Sequence, residues 1–263
     1  MDLNLKDKVV VVTGAAGIKG SIGETIVRAL ASEGALPVIV CRNDRGYEYE
    51  KEYREKGIKA SFIKTDLTVP DQIAEAIKQT VAVYGRIDAV INNVGVNDGA
   101  GLDASIEDFM RSLSLNLVSY YATVKYALPY LKQSRGAILN IGSKVAQTGQ
   151  GKTSGYAAAK GGVLGLTREW AVDLIRDGIR TNALIIAECY TPAYENWIGQ
   201  MENGEAKLQA IKEKIPLGKR MTEAQEIADT CLFLISDRAS HTTGQFVYVD
   251  GGYVHLDRAL LPE

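Results

Sequence analysis

Along the chain, short runs of consecutive apolar residues alternate with longer stretches whose apolar positions recur every three or four residues. Unbroken apolar runs bounded by turn residues indicate buried strands, and the longer period indicates amphipathic helices. The pattern predicts strands at 9–13, 38–41, 61–64, 89–92, 137–141, 180–186 and 246–249. Helices are predicted at 22–33, 45–56, 70–84, 106–132, 155–175 and 223–236. Strand–helix alternation of this kind builds βαβ units, and right-handed crossovers put helices on both faces of the sheet. The expected fold is therefore α/β, a Rossmann doubly wound parallel sheet of seven strands forming a single domain over 1–263. The stretch 188–241 lacks a strand pattern and is punctuated by Gly204, Pro216 and Gly218. It is expected to cover the active-site end of the sheet, with a substrate lid around 188–220.

Composition changes this picture mainly by exclusion. The chain has 263 residues, 46% hydrophobic and 24% charged, with a formal net charge of -2. Neither disorder nor a nucleic-acid partner fits, since phosphate binding usually shows as a basic patch. Cys41, Cys189 and Cys231 are too few and too scattered for a disulfide framework or zinc spacing. His241 and His255 are the two histidines, so neither a His-based metal site nor a Ser/His/Asp triad is expected. The start MDLNLKDKVV carries no basic, apolar leader, and no run reaches the ~20 apolar residues of a membrane span. A cytoplasmic protein without membrane contact is the expectation.

Candidate chemistry begins at the first strand, which runs into a glycine-rich turn in VVVVTGAAGIKGSIG, followed by a helix from Ile22. Glycines let the backbone turn sharply and approach a pyrophosphate, and the helix N-terminus offers free N–H groups. Glycines also make ordinary turns. The position in the first βα unit favours dinucleotide binding, with Gly14, Ser21, Ile22 and Lys19 as candidates; Lys19 and Ser21 are otherwise solvated loop residues. Asp66, beside Leu67, follows the third strand and can accept from an adenine amino group. Asn93 and Gly95 end the fourth strand in INNVG, where Gly95 leaves room for a cofactor. Asn92 has a structural role as its alternative, tying strands together. At the second strand end an acid would bind the ribose diol of NAD, but Cys41 and Arg42 stand there. A guanidinium suits a 2′-phosphate, so NADP is expected, with NAD the alternative if Asn43 or Asp44 contacts the ribose.

Tyr156 and Lys160 stand four residues apart, on one face of a helix. A phenol near pKa 10 is a poor base at neutral pH, and a nearby ammonium lowers that value. Such tuning serves general acid/base catalysis, and Ser143 at a strand end can bond the reacting oxygen. The same pair is common on surface helices; its weight comes from following a dinucleotide loop.

Together, Thr13-Gly14 with the glycine-rich turn, INNVG, Asn116, Ser143 and Tyr156-(three residues)-Lys160 resemble the short-chain dehydrogenase/reductase family along essentially the whole chain. The resemblance implies a seven-stranded doubly wound fold and a homotetramer. It implies Tyr156 as acid/base, Ser143 orienting the substrate oxygen and Lys160 holding the nicotinamide ribose. Asn116 would anchor a water beside Lys160, or would merely satisfy a break in its helix. Two departures stand out. The glycine turn is three residues longer than the family pattern, with Ser21 in place of the middle glycine. Ile186-Ala187 stands where Pro-Gly is common, although Thr191 still precedes Pro192 and would reach the nicotinamide carboxamide beside Ile186.

The segments SKVAQTGQGKTSGY, IPLGKR and GGYVHLDRAL are similar to the bacterial L-fucose dehydrogenases of this family. That similarity implies oxidation of the anomeric hydroxyl of an aldose to its lactone. Asn97, Gln150, Glu188 and Trp197, with Ser143 and Tyr156, are the candidate sugar contacts; Tyr194 and Trp197 are lid core otherwise. His255 and Asp257 either approach a pocket or are solvated tail residues. The alternatives are a 3-oxoacyl or other ketone reductase and a non-catalytic dinucleotide-binding regulator.

Overall fold

A computed structural model describes residues 2–256. Its elements follow in order: β1 Val9–Thr13, α1 Ile22–Ser32, β2 Leu36–Cys41, α2 Arg45–Glu55, β3 Ser61–Lys64, α3 Pro70–Tyr84, β4 Ala89–Asn92, α4 Ile106–Leu113 and α5 Ser119–Ser134. Then come β5 Ala137–Ser143, α6 Val145–Thr148, α7 Ser154–Asp173, β6 Arg180–Ile186, β7 Cys189–Tyr190, α8 Pro192–Gly199, α9 Gly204–Lys212, β8 Thr222–Glu223, α10 Ala224–Ile235 and β9 Phe246–Val249. Seven strands pair in the order β3-β2-β1-β4-β5-β6-β9, every pairing parallel. This is the expected Rossmann sheet.

The period of two along β1 sorts the core into two layers. Val10 and Val12 pack with Ile26 and Leu30 of α1 and Ile227 and Leu232 of α10. Val9 and Val11 face the other way, onto Ile73 and Ile77 of α3, Leu131 of α5 and Trp170 of α7. Alternate side chains of a strand point to opposite faces, so a strand covered on both sides must be apolar throughout, as VVVV is. Burying each such valine contributes on the order of 1.5–3 kcal/mol.

Local signals set several boundaries. Pro70 opens α3, and Gly85 closes it in the left-handed conformation. Ser105 caps α4 through its hydroxyl, which accepts from Asp108 N.

Two expectations change. The helix expected over 106–132 is interrupted by a π turn at Ser114–Val118, between α4 and α5. A π turn shifts the hydrogen-bond ladder by one residue, which hydrophobic periodicity does not register. The stretch 188–241 does hold strands: β7 and β8 form a two-residue parallel ladder. Runs so short carry no period. Among the described residues, no helix is long and apolar enough to cross a membrane and no metal-binding cluster is present. Cys41, Cys189 and Cys231 are free.

The sheet order reverses direction between β1 and β4. Ligands of open α/β sheets bind where strand order reverses, at the carboxyl ends of the strands. Thr13 and Asn92 end the two strands there.

Candidate active site

A cleft of about 480 Å3 opens at this switch point. Gly14, Ser21, Ile22, Arg42, Asp66, Leu67, Asn93, Gly95, Ser143, Tyr156, Lys160, Ile186 and Thr191 all line it. Residues from the ends of β1 to β6 thus meet in one place, although they span the chain from 14 to 191.

The glycine turn forms the cleft floor. Gly14 has φ +69°, and a Cβ there would lie 2.7 Å from Val94 Cα. A Cβ on Gly23 would lie 2.6 Å from Asn93 Nδ2, so α1 packs against the end of β4 only with glycine. The Asn93 side-chain amide donates to Thr13 O at 3.0 Å and Gly14 O at 3.3 Å, fixing the turn. The extra residues 18–20 make a turn of their own. Ser21 N donates to Ile18 O at 2.8 Å, and Gly20 N donates to the Glu24 carboxylate at 2.8 Å. Gly17 faces the cleft, and its carbonyl accepts from Tyr49 OH at 2.7 Å. Lys19 is exposed and outside the lining, because the added turn carries it away.

Ser21 stands at the N-terminus of α1, yet its hydroxyl caps no backbone N–H. Its Oγ is buried with no partner. A buried orphan hydroxyl beside free helix N–H groups is a site for an anion. A Cβ on Gly17 would lie 2.5 Å from that oxygen, so glycine keeps the space open. These features fit a dinucleotide pyrophosphate.

At the adenosine end, the half-buried Asp66 accepts from Thr68 N at 2.9 Å and Thr68 Oγ1 at 2.7 Å. The Thr68 hydroxyl and backbone hold its carboxyl below the usual range, and the Arg42 charge adds to this. Asp44 pairs with Lys64 at 2.6 Å and is outside the cleft lining. Asn43 lines the cleft, but its Oδ1 accepts from Arg45 N. Arg42 is the exposed cation on this wall.

The catalytic candidates converge from β5, α5 and α7. Tyr156 and Ser143 both line the cleft, and the Ser143 hydroxyl acts to lower the Tyr156 phenol. Lys160 is 1% exposed, and its Nζ lies 5.6 Å from the Tyr156 ring centroid. Lys160 donates to Ile141 O at 2.8 Å and to Tyr120 OH at 2.9 Å. Burial without a carboxylate partner disfavours the ammonium and brings Lys160 down to about 7. The sequence led us to expect a lowered phenol at Tyr156. Burial instead pushes Tyr156 up, opposed by the nearby Ser143 hydroxyl. The physical reason is that desolvation acts on both members of the pair, and helical spacing says nothing about depth.

Asn116 is fully buried in the π turn. Its Oδ1 accepts from Val96 N at 2.8 Å, and its Nδ2 donates to Val96 O and Ser112 O at 3.0 Å each. The structural alternative for Asn116 is therefore real: it satisfies a carbonyl one helical turn back and grips the loop after β4. Asn92 likewise donates to Asn140 Oδ1 at 2.9 Å, and Asn140 donates on to Thr167.

On the substrate side, the Thr191 hydroxyl accepts from Tyr194 N and caps α8, which turns the Tyr194 ring into the cleft lining. Tyr194 OH donates to Glu188 Oε2 at 3.0 Å, and the other Glu188 oxygen pairs with Lys144. Lys144 also lies over the Tyr253 ring, 4.3 Å from its centroid. Asn97, Gln150 and Glu188 are not among the lining residues; Asn97 and Gln150 are exposed, and Glu188 is half-buried behind Tyr194. Trp197 is 44% exposed and packs edge-on against Tyr194 at 5.2 Å, one layer out from the cleft. His255 is exposed against Tyr248, while Asp257 lies outside the described residues. Sequence reasoning missed Tyr120, whose place in an ordinary apolar helix pattern gave no signal; it left open which of Gly17 and Gly20 meets the cofactor, and Gly17 is the one that lines the cleft beside the orphan hydroxyl.

Comparison with known proteins places this geometry among dehydrogenases. A family model described as enoyl-(acyl carrier protein) reductase matches residues 14–254. The chain is 36% identical to the L-fucose dehydrogenase of Mus musculus, over 93% of this chain and 88% of that protein. It is 33% identical to a 3-oxoacyl-[acyl-carrier-protein] reductase of Thermotoga maritima, over 96% and 100%. Among solved structures, the Cj0485 dehydrogenase is 43% identical with a TM-score of 0.93, covering 100% of both chains. The aldohexose dehydrogenase of Thermoplasma acidophilum is 32% identical with a TM-score of 0.87, again covering 100% of both.

Proposed function

The chain belongs to the short-chain dehydrogenase/reductase family of NAD(P)-binding oxidoreductases acting on CH–OH groups, and from that premise we propose that it oxidises the anomeric hydroxyl of an aldose, L-fucose or a related sugar, to the lactone. In this reading Ser143 bonds the substrate oxygen and Tyr156 accepts its proton. A bound oxidised dinucleotide would supply the hydride acceptor, so that loss of the proton to Tyr156 and of the anomeric hydride leaves the lactone carbonyl. Lys160 holds the nicotinamide ribose and faces Tyr156 with its charge. Gly14, Gly17, Ser21, Ile22 and Asn93 would hold the pyrophosphate, Asp66 and Leu67 the adenine, and Ile186 and Thr191 the carboxamide. Arg42 selects NADP, since Asp44 is held by Lys64 outside the cleft lining and the carboxylate that does line this end, Asp66, is assigned to the adenine.

The observation that carries the sugar reading is the polar cluster Glu188–Lys144–Tyr194, which reaches the cleft through Tyr194, with Glu188 and Lys144 behind the lining. A carboxylate offers about four lone-pair sites, of which two are used here, so Glu188 can still accept from sugar hydroxyls. A charged cluster at the edge of the cleft suits a polyol better than an acyl chain. The 188–220 segment acts as the lid that carries Tyr194. L-fucose and aldohexose dehydrogenases among the relatives support the same substrate class. The relative that reduces 3-oxoacyl thioesters supports the second reading, a ketone reductase, and the Glu188 pair opposes it. A homotetramer is expected, with the exposed Ile106 and Met110 of α4 and Tyr121 of α5 supplying apolar contact area.

A screen of aldoses against NADP and NAD, followed by cofactor absorbance, tests the proposal. Turnover of an aldose faster than of any 3-oxoacyl thioester is expected. Tyr156→Phe should cut that turnover by about a hundredfold to ten-thousandfold. No turnover on any aldose, or full activity in Tyr156→Phe, sinks it.

A further inference from the structure

Tyr120 is 1% exposed at the start of α5, where a packing residue is the ordinary occupant. A buried phenol must find partners for its hydroxyl. The partners here are the machinery of the cleft. Tyr120 OH accepts from Lys160 Nζ at 2.9 Å and donates to Val94 O at 2.8 Å; Ile141 O lies 3.2 Å away. The Lys160 Nζ also stands 4.8 Å from the Tyr120 ring centroid, so both the oxygen and the π face of Tyr120 meet the cation. An ammonium has three donors. Tyr120 and Ile141 take two of them, leaving one for the cleft that Lys160 lines. Asn116 spends its amide on Val96 and Ser112.

We propose that Tyr120 is a positioning residue for the reaction: its hydroxyl fixes Lys160 between itself and the Ile141 carbonyl, so that one N–H is presented to the cleft and the charge faces Tyr156. The proposal rests on Tyr156 being the acid/base. Tyr120→Phe keeps the ring and removes one acceptor from a buried cation. The ammonium then becomes less favourable, and burial has already brought Lys160 down to about 7. With less positive charge beside it, the Tyr156 phenolate is less favoured and its proton is held more tightly.

The test is the pH dependence of kcat/KM for Tyr120→Phe in both directions. The acid limb of the oxidative profile is expected to move up by about one pH unit. That is about a tenfold loss on the limb, converging on wild type at high pH. The alkaline limb of the reductive profile should move the same way. Coincident limbs, or a loss that is uniform across pH, would assign Tyr120 a packing role only and overturn the proposal. If Tyr120→Phe does not fold, 3,5-difluorotyrosine at position 120 retains the hydroxyl while weakening it as an acceptor. A smaller shift in the same direction is expected, and no shift overturns the proposal.

A second readout needs no substrate: NADPH binding followed by nicotinamide fluorescence should weaken about three- to tenfold in Tyr120→Phe. Unchanged binding counts against Tyr120 even if turnover falls. A wild-type chain that binds NADPH more tightly than Tyr120→Phe, yet oxidises no aldose, supports the role of Tyr120 and overturns only the substrate assignment.

Discussion

A single buried lysine shows how function and stability pull apart. Lys160 has no carboxylate partner among its hydrogen bonds, and burial brings it down to about 7. In the unfolded chain it would titrate near 10.4. Between those values the unfolded state binds more protons, so this residue's contribution to stability rises as pH climbs from about 7 toward 10 and is lost as pH falls back. Lys160→Met removes the charge and keeps much of the volume. Without cofactor, the variant should melt roughly 5 °C above wild type at pH 6, with a smaller gap at pH 9. Circular dichroism melts at the two pH values give the answer; an equal gap at both would show that desolvation of the ammonium is not the cause. Turnover in Lys160→Met should be lost, since Tyr156 then has no cation beside it.

At the scale of elements, the glycine turn and the π turn do the positioning. Asn116 and Tyr120 stand four residues apart and share a face of the helix, and together they hold Val96 and Val94 of the loop after β4. The glycine turn separates stability from binding. At Gly14 a side chain would meet backbone at 2.7 Å with φ +69°, so Gly14→Ala strains the fold. At Gly17 the new Cβ meets the Ser21 side chain alone: the hydroxyl at 2.5 Å, which can rotate away, and Cβ at 3.0 Å, which needs a shift of a few tenths of an ångström. Gly17→Ala is therefore expected to weaken NADP binding about tenfold while moving the melting temperature by less than about 2 °C. Isothermal titration beside a melt separates the two effects, and a large drop in melting temperature with unchanged binding would refute the role given to Ser21.

For the whole molecule, the cleft lies between the halves of the sheet, so a ligand there bridges residues from 14 to 191. A ligand that binds the folded state alone, at a hundred times its Kd, adds about 2.7 kcal/mol. For a chain of this size that is roughly 5–10 °C in melting temperature. NADP should give this shift at a lower concentration than NAD. Arg42→Ser should abolish the difference by weakening NADP alone, if the guanidinium pairs with the 2′-phosphate as proposed. A shift that favours NAD in the wild-type chain would remove Arg42 from its proposed role.

The sheet was legible because a strand buried on both faces must be apolar throughout, and Val9 to Val12 meet that demand in the sequence itself. The candidate catalytic pair was legible because residue type and spacing are written along the chain: Tyr156 and Lys160 share a helix face in any fold that makes 154–173 helical. What distance and depth decide was not written there. Spacing suggested that Lys160 would lower Tyr156, whereas only the packed structure shows both groups desolvated. Asn97, Gln150 and Glu188 read alike as polar residues near strand ends. Only the fold leaves the first two in solvent and turns Glu188 toward Lys144 and Tyr194. Tyr120 had no sequence signal, since a tyrosine in an apolar stripe is ordinary core until a lysine 40 residues away is brought to its hydroxyl. Local physics acts between neighbours in the chain and can be read from it; contacts between distant segments exist only once the sheet has set their register.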